Sequence, residues 1–164
     1  MQTITNTPVA DADQRELIYR FEARLAEMYP IGIFPEGIRF HNDFDGTIVA
    51  GPFTGARIFG LDQFMLRRDG VGVIVAPEVI DAGDTRVSLE VRGYVVSPDG
   101  LEMPPLEVMA DPGFEFPDLD FRVVGSALIR TADPRYEKLN RTVAVLEGTV
   151  NLASGRLVVE ARAL

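Results

Sequence analysis

Asp62 stands out in this 164-residue chain as a group whose type and setting could do chemistry. It opens an alternating run in which Phe64 and Leu66 share its face, and aspartate is depleted in strands. A carboxyl group held against an apolar face loses water, which lifts its pKa toward neutrality and suits it to general-base work. The same residue also has a structural reading: just after Gly60, its side chain would pin a turn by accepting backbone N–H groups. Glu90, Arg92 and Tyr94 follow one another at two-residue spacing on one strand face. In a wet lumen Arg92 would hold a carboxylate or enolate while Tyr94 donated a proton; on an outer wall all three would simply face solvent. Arg135, Tyr136 and Asn140 gather in the segment after Asp133-Pro134, either as ligand contacts or as a structural corner in which Tyr136 plugs one end of the fold.

The rest of the inventory narrows the chemistry by exclusion. The chain has no Cys, so thiol nucleophiles, disulfides, thiolate zinc sites and iron–sulfur clusters are ruled out. His41 is the single His, which leaves no multi-His metal site, and no nucleophile elbow accompanies it. It reads as a residue flanking a turn, with a contact to ligand as the functional alternative. Asp43-x-Asp45-Gly46 lacks the later ligands of a calcium loop, and no Gly-rich phosphate loop opens a helix. The expectation is cofactor-free, metal-free chemistry. Sixteen basic against 25 acidic residues give a formal charge of -9, which repels nucleic acid and anionic membranes. No apolar run approaches the roughly 20 residues of a membrane span and no secretory leader opens the chain, so a soluble, cytoplasmic protein is expected.

The elements that must carry these residues are mainly β. Residues 1–12 read as a flexible leader and 13–164 as one domain. Leu17, Ile18, Phe21, Leu25 and Met28 fall on one helical face, so an α-helix is expected over 13–29, capped by Asp11 or Asp13 and stopped by Pro30. Beyond Phe34 the helical period vanishes, and short strands are expected at 36–42, 46–51, 54–60, 62–68, 71–80, 85–97, 119–131, 141–150 and 156–163. Asp45-Gly46, Asp69-Gly70 and Asp99-Gly100 read as turns between them. Up-and-down strands this numerous avoid raw edges by closing, so an antiparallel β-barrel over 35–164 follows. Residues 71–80 are apolar on both faces, which calls for a cover on the outside: the N-terminal helix, or a second subunit in a homodimer. The segment 101–118, with four Pro among Met103, Leu106, Met109, Phe114 and Phe116, suits a stiff apolar lid over an open barrel mouth, and equally a seal on its end.

A set of short motifs in these strands and turns resembles a known family. Gly46-x-x-x-x-Gly51-Pro52-x-x-Gly55, Gly60-x-Asp62, Arg68-Asp69-Gly70-Val71 and Asp133-Pro134-Arg135-Tyr136-x-x-Leu139-Asn140-Arg141-Thr142 occur in an order and spacing that resemble the small bacterial and fungal β-barrel proteins grouped as domain of unknown function 3237. The resemblance spans roughly residues 31–164 and implies a barrel without assigning an activity. Members usually carry Trp after the Asp of Gly-x-Asp, where this chain has Gln63.

The function expected from the residues is a barrel that encloses a hydrophobic small molecule. It would act as a lyase, isomerase or cyclase, with Asp62 and Tyr94 in acid–base roles and Glu90, Arg92, His41, Phe64, Arg135, Tyr136 and Asn140 around the substrate. A non-catalytic carrier needs only the apolar lumen, and an oligomerisation module with a filled barrel needs no lumen at all.

Overall fold

The structure is a computed structural model that describes residues 14–164; the expected leader and the Asp11 and Asp13 caps lie outside the described residues. Nine strands run in chain order. They are β1 Leu17–Phe34, β2 Gly37–Ala50, β3 Arg57–Asp62, β4 Met65–Arg67, β5 Gly72–Asp81, β6 Arg86–Val96, β7 Asp120–Thr131, β8 Val143–Asn151 and β9 Arg156–Ala163. A four-residue helix, α1 (Leu106–Met109), lies between β6 and β7, and a short helical stretch, Pro134–Arg141, joins β7 to β8. β3 and β4 are two halves of one stave, since both pair with β2 and with β5. β1 pairs with β9 on one side and β2 on the other, which closes the sheet into an eight-staved antiparallel barrel with β1 as the closing strand.

That closure overturns the helix expected over 13–29. Tyr19, Phe21 and Ala23 are buried while Arg20, Glu22 and Arg24 are exposed, a period of two that the 3.6-residue spacing of Leu17, Phe21, Leu25 and Met28 conceals. A helix there would leave β2 and β9 as open edges, so tertiary pairing decides between the two periods. Pro30 sits within the strand beside a register shift at Pro30/Gly32, where an irregular ladder tolerates it. Asp45-Gly46 is likewise not a turn. β2 runs straight through it, with Asn42, Phe44 and Ile48 inward and Asp43, Asp45 and Thr47 outward. Gly46 is needed for packing instead: a Cβ there would lie 2.5 Å from the Ala23 Cβ and 2.3 Å from the Glu22 carbonyl oxygen. With Leu17–Phe34 built into the sheet, that segment does not cover the outer face of β5, and Val73 and Val75 are half-buried among the described residues.

The two ends of the barrel differ. At one end Phe53 from the β2–β3 turn and Ile18 are buried, and the Tyr136 ring packs tilted against Phe53 with ring centroids 4.7 Å apart. At the other lie the β1–β2, β4–β5 and β8–β9 turns and the long β6–β7 connection. Gly70, at φ +83°, makes the β4–β5 turn possible, and Arg68 ties that turn to the β1–β2 hairpin by donating from Nε to the Pro35 carbonyl at 2.8 Å. In the Pro-rich connection Leu106 and Met109 are buried, and Phe114 and Phe116 pack against the core and edge to face on each other. Gly46→Ala is expected to destabilise the barrel by about 1–3 kcal/mol through this forced contact, whereas Thr47→Ala beside it should change little. Urea midpoints of the two variants check this; equal midpoints would contradict the β1–β2 packing.

Candidate functional site

The inward faces of the staves line a narrow cavity of about 60 Å³. Its wall is mostly apolar, with Phe21 on β1, Phe40 and Phe44 on β2, Phe64 between β3 and β4, and Val91, Val123 and Val159 opposite. Phe116 from the Pro-rich connection lines it as well. Four polar side chains interrupt this wall: Tyr19 on β1, Asn42 on β2, Asp62 on β3 and Glu78 on β5.

Strand register brings the polar groups together. Asn42 lies directly across from Asp62 in the β2–β3 pair, and Glu78 lies across from Gly60 in the β3–β5 pair. Glu78 is therefore the diagonal inward neighbour of Asp62, at a spacing of about 7 Å. Gly60 holds the place between them open, because a Cβ there would sit 3.0 Å from the Phe44 ring and 2.6 Å from the Pro77 carbonyl oxygen. Gly72 does the same for Phe64, whose ring would otherwise be 2.4 Å from its Cβ.

Both readings of Asp62 meet in one side chain. The stave breaks at Gln63-Phe64, and the Asp62 Oδ1 accepts from the Val75 N–H at 3.3 Å while the Gln63 N–H donates to the Val75 carbonyl at 3.0 Å. Asp62 thus helps hold the break and still faces the lumen. Loss of water on burial, opposed only by that one N–H, pushes its pKa up to about 7. Glu78 is more deeply buried and is pushed up to about 8, by desolvation first and then by the Asp62 charge. Burial, and then the Glu78 charge, also raise the Tyr19 phenol well above its ordinary value. Tyr19 Oη, Asn42 Oδ1 and Glu78 Oε2 are all buried without a hydrogen-bond partner. An apolar barrel rarely leaves three polar atoms unmatched, because each costs roughly 1–3 kcal/mol.

Of the residues singled out from sequence, the structure brings only Asp62 and Phe64 into this cavity. Glu90, Arg92 and Tyr94 are on the outside of β6, since Val91 and Val95 take the inward positions and Tyr94 is 49% exposed. The stripe is real, but its face is the solvent face, which removes Tyr94 from the acid–base role expected for it. His41 is half-buried on the outer face of β2, between the inward Phe40 and Asn42. Arg135, Tyr136 and Asn140 are at the other end of the barrel, outside this cavity. Arg135 bridges Asp133 and Asp84 at 2.6 and 2.8 Å, and Asn140 exchanges two hydrogen bonds with the Thr131 backbone. Sequence reading missed Glu78, Asn42 and Tyr19. The signal for each was a single polar residue in an inward alternating set: Ile74-Ala76-Glu78-Ile80, Phe40-Asn42-Phe44 and Tyr19-Phe21-Ala23.

With this geometry in place, comparisons with known proteins place the fold. No protein-family model and no curated protein matches the chain. Several solved structures share its architecture. A conserved protein of unknown function from Rhodopseudomonas palustris is 20% identical with a TM-score of 0.67, covering 96% of this chain and 100% of its own. A β-barrel-like protein from Acinetobacter baumannii AYE is 22% identical with a TM-score of 0.66, covering 92% and 94%. A protein from Penicillium herquei described as an enzyme is 20% identical with a TM-score of 0.54, covering 90% and 94%. At these identities the likeness establishes the barrel. Among the described residues no helix is long and apolar enough to cross a membrane.

The raised carboxyls make stability depend on pH with a definite sign. The unfolded chain ionises both near pH 4, whereas the folded barrel keeps their protons to about 7 and 8. Raising the pH from roughly 4 to 8 therefore favours the unfolded chain. Asp81, held low first by the Gly83 N–H, and Asp133, held low by Arg135, act with the opposite sign and only below pH 4. Denaturant unfolding of wild type should show stability falling from pH 5 to pH 8. Glu78→Gln should flatten that slope by on the order of 1–3 kcal/mol; an unchanged slope would mean that Glu78 is solvated.

Proposed function

We propose that this barrel binds a hydrophobic small molecule in its lumen and acts on it by cofactor-free acid–base chemistry, as a lyase, isomerase or cyclase. The observation that carries this reading is the pair Asp62 and Glu78, two carboxyls facing one apolar cavity with pKa values near and above neutrality. Near pH 7 Asp62 is partly ionised and Glu78 is mostly protonated, so one cavity offers a base and an acid together. Asp62 takes a proton from the bound molecule, and Glu78 returns one at a second atom. The proton count is then balanced, and the next turnover needs only proton exchange between the carboxyls and water. Tyr19 and Asn42 orient the reacting group through their unpartnered oxygens. The Pro-rich segment 101–118, which presents Phe116 to the cavity, is placed to serve as its lid.

Three further points support the reading. Tyr19, Asn42, Asp62 and Glu78 come from four different strands, so their meeting is a property of the closed barrel. The fold neighbour from Penicillium herquei is described as an enzyme, which fits a barrel of this architecture hosting catalysis. Among the motifs that resemble the domain of unknown function 3237 family, Gly51 and Gly55 take positive φ in the β2–β3 turn, and Asp62 faces the lumen. We propose on the strength of those motifs that the chain is a relative of that family.

A carrier would use the same cavity without turnover, and its mainly apolar wall is what favours that second reading. An apolar metabolite extract incubated with wild type, Asp62→Asn and Glu78→Gln, and followed by mass spectrometry, separates the two. Wild type is expected to convert an apolar metabolite, with a rate loss of at least about 100-fold in each variant and melting temperatures within a few degrees. Asn at position 62 keeps an oxygen that can accept the Val75 N–H, so that variant should stay folded. Retention without conversion by all three would make the protein a carrier. Neither retention nor conversion would remove both readings.

A further inference from the structure

The buried polar atoms that the cavity leaves without a partner are all oxygens: Tyr19 Oη, Asn42 Oδ1 and Glu78 Oε2. Asn42 Oδ1 and, once ionised, the Asp62 and Glu78 carboxylates only accept, while the Tyr19 oxygen accepts as well as donates. No Arg, Lys or His lines the cavity to answer them. Three of the four side chains hold a buried atom without a partner. What the cavity lacks is a group rich in donors and positive in charge. Phe21, Phe40, Phe44 and Phe64 line the same cavity, and aromatic rings favour a cation, while the surplus of nine negative charges on the whole chain disfavours an anion.

We propose that the ligand of this cavity is an apolar or aromatic amine, bound as its ammonium ion between Glu78 and Asp62, with Tyr19 and Asn42 accepting its remaining N–H groups. This inference names the substrate class for the cavity and so rests on the lumen being a binding site. An ammonium has up to three donors, matching acceptors presented from β1, β2, β3 and β5, while the ring or chain behind it meets the Phe side chains. An alcohol has one donor and leaves acceptors unmatched, and a carboxylate meets two carboxyls with no cation. Binding is also coupled to protons. The titratable groups facing the site are Asp62 from β3, Glu78 from β5 and Tyr19 from β1, while β6 to β9 contribute apolar side chains. A cation between the two carboxyls favours their charged forms, so the complex releases protons taken up by burial.

The test uses the whole protein and three probes of one shape, 2-phenylethylamine, 2-phenylethanol and 3-phenylpropanoate, in isothermal titration at pH 7 in two buffers of different ionisation enthalpy. Binding of the neutral dye N-phenyl-1-naphthylamine serves as an independent report on the lumen. The amine is expected to bind at least tenfold more tightly than the alcohol, to release protons on binding, and to fall to the alcohol's affinity in Glu78→Gln, which still binds the dye. The carboxylate should not bind. If the alcohol equals or exceeds the amine, or if none of the probes binds while the dye does, the amine assignment is overturned and the lumen survives as a site. If the dye also fails to bind, the lumen is not a binding site and both readings fall.

Discussion

Two carboxyl groups sit inside a closed apolar wall with no basic residue lining the cavity beside them. Isolated charge in such a place is costly, and a protein answers by keeping the group protonated or by reserving its charge for a ligand. The closed barrel makes this unavoidable. Register places Glu78 diagonal to Asp62 and Asn42 opposite it, and period-two alternation turns all three inward. A one-residue slip in β5 would send Glu78 outward and bring Pro77 or Val79 in, so the site and the pairing of the sheet are one constraint.

The supporting structure serves that arrangement. β1 closes the barrel and brings Tyr19 and Phe21 to the lumen. Gly46 lets β1 and β2 approach, Gly60 keeps the gap between Phe44 and Glu78, and Gly72 clears the place of Phe64. At one end Arg135 pairs with Asp84 and Asp133 and Tyr136 packs against Phe53, while at the opposite end the Pro-rich connection lays Phe116 against the cavity. Rigidity at one end and an apolar cover at the other suit a lumen that must exclude water and still admit a small molecule.

Much of this was legible in the residues. Asp-Gly turns and alternating runs give the meander, and avoidance of edges gives closure; Asp62 announces itself as an acid in an apolar strand. The misreadings share a cause, which is that alternation names two faces without saying which is inside. Glu90, Arg92 and Tyr94 form a true stripe, yet the stripe faces out because Val87, Leu89 and Val91 fill the interior. The β1 residues satisfy a helical period as well as a strand period, and only the need to bridge β9 and β2 decides between them. Glu78 escaped notice because the outer face of its strand is apolar too, which hides a single inward acid among Val73, Val75 and Val79. Arg135 and Asn140 look functional by type but are used up by Asp84, Asp133 and the Thr131 backbone.

Asp62 and Glu78 hold their protons toward neutral pH because the barrel removes their water. Carbon-13 NMR of the side-chain carboxyls, assigned through Asp62→Asn and Glu78→Gln and titrated from pH 3 to pH 9, tests it most directly. The account predicts two carboxyls that titrate late, near 7 for Asp62 and near 8 for Glu78, with the Glu78 midpoint falling when Asp62 is replaced. Midpoints near 4 for both, unmoved by the other substitution, would mean two solvated and independent carboxylates and would contradict the account.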